Sequence, residues 1–198
     1  LPRAITQLTL ATELAPNDRQ ALESLLECYG QQDDVQAAVR CLTRMLEFAP
    51  RDLKLWNSLG NRLDSLGQPA EAQRAYTSMV EMLPHEAESH ERLAQVEERL
   101  DHWPRAIAQW RQAVRLRKLD PTGLLGLAQA QIHEKQFSEA RQTLELLKSH
   151  AWPERFDRVG VDIEQLEKQL RAASAKEPPG EAGRQRTRGT EDREGREE

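Results

Sequence analysis

Five alanines stand 34 residues apart: Ala4, Ala38, Ala72, Ala106 and Ala140. Three prolines keep the same interval, Pro16, Pro50 and Pro84. A recurrence this long and without a gap restricts the chain to one kind of architecture. A unit of this size is a single supersecondary element that cannot bury its own apolar face, so copies must stack and share a continuous core. The small residue fits a point where two helices approach closely. The proline fits a helix end, because it lacks an amide donor and restricts the residue before it.

Within each interval the apolar residues fall at helical spacing. In unit 19–52, Leu22, Leu25, Leu26 and Tyr29 mark a helix A. Val35, Ala38, Leu42 and Met45 mark a helix B, and Gln31 to Asp34 form the polar turn between them. Unit 53–86 is the best formed. It carries Trp56, Leu59, Gly60 and Leu63, then Ala72 and Tyr76, then the closing Pro84. Gly67 tolerates the left-handed backbone that ends a helix, and Pro69 suits a helix start. Unit 87–120 departs from the pattern. His90 stands in the slot of Trp56 and Glu97 in that of Leu63, although Trp103, Ala106, Ile107, Trp110 and Ala113 give it a strong helix B. Unit 121–154 follows, with Leu124, Leu127, Ala128 and Ile132, then Phe137, Ala140, Leu144 and Leu147.

The order W-x2-L-G, then A-x3-aromatic, then proline resembles the tetratricopeptide repeat, a helix–turn–helix unit of this length. The resemblance covers about residues 1–154. It implies an all-α fold, an α-α superhelix, with a concave groove lined by the A helices. Residues 1–16 then read as half a repeat. Its unpaired apolar stripe leads to the expectation of an array cut from a longer protein, able to self-associate through that helix. Val159, Ile163, Leu166, Leu170 and Ala173 predict a capping helix at about 159–173. Residues 174–198 are expected to be a disordered charged tail. Six basic and seven acidic residues nearly cancel there, and no large apolar residue offsets the entropy of ordering.

Composition removes several function classes. The net charge of −5 disfavours a nucleic-acid surface, which needs a basic face. No apolar run approaches the ~18 residues of a membrane span. No leader segment is visible, and a cytoplasmic location is the expectation. Cys28 and Cys41 lack metal-ligand spacing and read as small buried residues. His85-Glu86 and His90 are spaced by five, not the four of a zinc-binding H-E-x-x-H helix. No phosphate-binding or nucleophile-elbow motif occurs. The expectation is therefore no enzyme, no metal and no cofactor.

The groove is the expected site. The resemblance places there the A-helix residues that face away from helix B. These are Gln20, Glu23, Ser24, Glu27 and Gln31 in the first unit, then Lys54, Asn57, Ser58, Asn61 and Asp64 in the second. In the third they are Glu88, Glu91, Arg92, Gln95, Glu98 and Arg99. In the fourth they are Thr122, Leu125, Gly126, Gln129, Ile132 and His133. The cations of the family's two-carboxylate clamp are missing in either register, which disfavours capture of a chaperone's C-terminal tail. The expected partner is a protein segment, basic with an apolar anchor, whose backbone the Asn amides can pair with. The other expectation is a self-association or spacer segment of a larger multidomain protein, an enzyme or an envelope-assembly factor.

Overall fold

Ten α-helices and one 3-10 turn account for the regular structure of residues 1–176, the part of the chain that the computed structural model describes. Helix α1 (Pro2–Leu14) precedes four pairs: α2 (Arg19–Gln31) with α3 (Val35–Phe48), α4 (Leu53–Ser65) with α5 (Pro69–Met82), α6 (Ala87–Arg99) with α7 (Trp103–Leu116), and α8 (Thr122–His133) with α9 (Phe137–Ser149). Helix α10 (Val159–Ser174) follows a short 3-10 turn at Glu154–Phe156. Each helix packs mainly on its neighbours in sequence, and α10 lies against both α8 and α9. This is an all-α helical-repeat solenoid. The expected disordered tail lies, from residue 177 on, outside the described residues.

The alanine series explains the packing. Ala38, Ala72, Ala106 and Ala140 are each 0% exposed, so a larger side chain would push two helices apart. Ala4, the first of the series, is exposed on α1. Ile5 and Leu8 of α1 pack on the core of α2 to α6, while Leu10 and Leu14 face outward at 51% and 81% exposure.

The turns repeat as well. Asp33, Gly67, Asp101 and Lys135 stand 34 apart, and each takes a positive φ, between 54° and 66°. The amide after each donates back along the preceding helix: Asp34 to the Tyr29 carbonyl, Gln68 to Leu63, His102 to Glu97 and Gln136 to Gln131, at 2.8–3.0 Å. This closes helix A with a Schellman-type cap. Sequence reading places the left-handed residue only at Gly67. The same geometry is imposed on two aspartates and a lysine, because the cap bonds and the flanking helices hold it.

The irregular third unit is satisfied in detail. Trp56 donates its indole N–H to the Pro50 carbonyl at 2.8 Å, and His90 Nε2 meets the Pro84 carbonyl at 3.1 Å. The imidazole thus replaces both the ring and its hydrogen bond one repeat later. Buried Glu97 accepts from Gln73 at 2.8 Å and pairs with His102 at 2.8 Å, which offsets the cost of placing a carboxylate where Leu63 sits a repeat earlier. Cys41 is buried, and its thiol lies 3.2 Å from the Leu22 carbonyl; both cysteines are free.

Candidate functional site

The A helices α4, α6 and α8 present the face on which most of the expected residues lie, and side chains join them across the helix boundaries. Asn57 of α4 donates its amide to Glu88 of α6 at 2.6 Å. Arg92 pairs with the same Glu88 at 3.5 Å and reaches Gln95 at 3.4 Å. Arg99 pairs with Asp64 of α4 at 2.6 Å. Asn61 accepts from the Tyr76 hydroxyl at 3.3 Å. Asn57 Oδ1 and Arg92 Nε are buried without a hydrogen-bond partner among the described residues.

Next to this network the face deepens into a cavity of about 350 Å³. Gln95 and Glu98 of α6 line one side, Leu125 and Gln129 of α8 the next, and Asp162, Gln165 and Gln169 of α10 the third. Trp110 of α7 forms the floor. Gly126 makes room for the indole: a Cβ there would lie 2.4 Å from the ring. The indole N–H donates to Glu98 Oε1 at 2.6 Å, which fixes both groups. Burial pushes the Glu98 carboxyl above its ordinary value, and the indole bond and Arg99 pull it only part of the way back. A half-buried carboxylate with raised proton affinity in a concavity is a functional-site signal.

That shift makes a stability prediction. Because the folded state holds the Glu98 proton more tightly than the unfolded chain does, ionisation of this group opposes folding above the ordinary carboxylate range. Below that range both states are protonated and the penalty is absent. Glu98→Gln should therefore raise the melting temperature at about pH 7 and lose that advantage near pH 4. Thermal melts at the two pH values read this out, and a variant less stable at neutral pH would contradict it.

Two expected groove residues are largely buried. Glu91 is 8% exposed; it turns toward the α7–α8 connection, where Arg117 pairs with it at 3.2 Å. Burial raises its carboxyl pKa and Arg117 opposes that shift. Ile132 is 6% exposed and belongs to the core shared by α8, α9 and α10, because the last turn of α8 is covered by α10. The remaining residues divide by place. Glu23 and Glu27 are exposed on α2, where Glu23 pairs with Arg19 at 2.7 Å. Lys54 lies at the start of α4, beside a cleft with Arg51 and Asp52. Arg19 also pairs with Asp52, the N-cap of α4, at 3.3 Å, and Asp52 accepts from the Lys54 amide at 3.0 Å.

Sequence reading misses two contributors. Trp110 reads as a wedge between helices, and only its register one unit after Tyr76 hints that it meets the groove. Asp162, Gln165 and Gln169 read as the solvated side of a cap. Their spacing of three and four, opposite the apolar stripe of α10, is the signal that marks a second face. Among the described residues no group of three or more His, Cys, Asp or Glu could hold a metal, and no helix is long and apolar enough to cross a membrane.

Comparison with known proteins agrees with the fold. A tetratricopeptide-repeat family model matches residues 92–155, and the chain resembles that family. No curated protein matches the sequence. Among solved structures, MamA from Desulfovibrio magneticus RS-1 is 16% identical with a TM-score of 0.56, over 84% of this chain and 85% of that one. YrrB, a TPR protein with an unusual peptide-binding site, is 16% identical with a TM-score of 0.59, over 88% and 83%. The TPR2B domain of yeast Sti1, in its complex with pHsp70, is 22% identical with a TM-score of 0.53, over 63% and 97%.

Proposed function

We propose that this tetratricopeptide-like array is a non-enzymatic interaction module that holds a segment of a protein partner along the face of α4, α6 and α8. The observation that carries the reading is the continuity of that face. Asn57, Glu88, Arg92 and Gln95 form one polar network across two repeats, and it runs into the cavity floored by Trp110. A row of amides and paired charges offers hydrogen bonds to a peptide backbone of any sequence, and the cavity offers an anchor point. Two proteins of similar fold support such a role: YrrB has a peptide-binding site, and the TPR2B domain of Sti1 forms a complex with pHsp70.

The test begins with selection from a short random peptide library on the immobilised chain. Retained peptides are then titrated against the wild type and the double variant Asn57→Ala/Asn61→Ala. Affinity should fall about tenfold, the loss of one or two good hydrogen bonds, with the helical spectrum unchanged. Failure to retain any peptide, or equal affinity for the variant, would remove the groove reading.

A further inference from the structure

We infer that the Trp110 cavity is a subsite for the cationic side chain of a lysine or arginine; this rests on the groove reading above. The first argument is the charge of the lining. Glu98 and Asp162 bring two carboxylates to the lining from different helices, Gln129, Gln165 and Gln169 add amide oxygens, and no lysine or arginine contributes to the described lining. The basic residues nearest on this face are engaged elsewhere, Arg99 with Asp64 at 2.6 Å and Arg92 with Glu88 at 3.5 Å.

The second argument is shape. A lysine or arginine is an apolar stem with a charged tip. Trp110, Leu125 and Leu166 give the cavity apolar surface for the stem, and its volume of about 350 Å³ suits one long side chain. The indole bond holds Glu98 in place, so a carboxylate is preorganised for the tip. Burial has already raised the cost of the Glu98 charge, and an incoming cation would relieve that cost.

The peptides retained from the random library decide this. Most should carry a lysine or arginine. Replacing that basic residue by glutamine should weaken binding to the wild-type chain about tenfold, the scale of a charge-assisted hydrogen bond. The same replacement should change binding to Glu98→Gln or Asp162→Asn by less than about threefold. Glutamine at position 98 still accepts the indole N–H, so unaltered near-ultraviolet dichroism separates a lost charge from a lost fold. Peptides without a basic residue, or ones that bind both variants like the wild type, overturn the inference while leaving the groove reading intact. If no peptide is retained, both fall.

Discussion

Trp110→Ala should lower the folding stability by about 3–5 kcal/mol, the range for deleting a large buried ring, and should abolish binding at the groove. The side chain is 3% exposed and belongs to the core formed with Ala94, Ala106, Ile107, Ala113, Leu127 and Ala130. That core joins the third unit to the fourth, so the cavity opens at the joint between them. The truncation also strips Glu98 of the indole donor, leaving a half-buried acceptor to find another partner. Trp110→Phe keeps most of the packing and loses the donor, so it should cost only about 1–2 kcal/mol. Denaturant unfolding measures both. If alanine costs less than about 1 kcal/mol, Trp110 lines the cavity without holding the joint together.

The second large effect is at Gly60. In an exposed helix, glycine to alanine gains about 1 kcal/mol. Here the added Cβ would lie 2.1 Å from the Tyr76 ring, which is 2% exposed and held through its hydroxyl to Asn61. Overpacking of about 3 kcal/mol outweighs the propensity gain, so Gly60→Ala should destabilise by about 2 kcal/mol. The same substitution in a Tyr76→Leu background should stabilise instead, by up to about 1 kcal/mol. The first unit already holds a bulkier version of that combination, with Leu26 and Leu42 in the equivalent slots. A double-mutant cycle gives the coupling; additive effects would mean that the ring moves aside at no cost.

The fold can be read from the sequence because packing sets the identity of its residues. Ala38, Ala72, Ala106 and Ala140 are small since two helices cross there, and the period repeats with the unit. The Schellman turns are legible only at Gly67, because aspartate and lysine carry weak signals for a left-handed backbone. The site is less legible, for a physical reason. A polar A-helix face satisfies the same pattern whether it binds a partner or only water, so Asn57 and Glu23 look alike in sequence. Structure separates them, since Asn57 reaches Glu88 on the next A helix and Glu23 pairs with Arg19 of its own. Helical phase carried over from the family does not reveal that Arg117 pairs with Glu91 or that α10 packs beside Ile132.

The core falls into three adjoining clusters. One cluster joins α2 through α6, a second joins α6, α7 and α8, and a third joins α8, α9 and α10. Each cluster is closed by side chains near in sequence, so loss of one need not open the next. Amide protons along the array then exchange in blocks. The block around Trp110 is shared by its neighbours on both sides, and its opening uncouples them. A ligand seated on that seam clasps two blocks at once, and it is there that occupancy would slow exchange across the rest of the array.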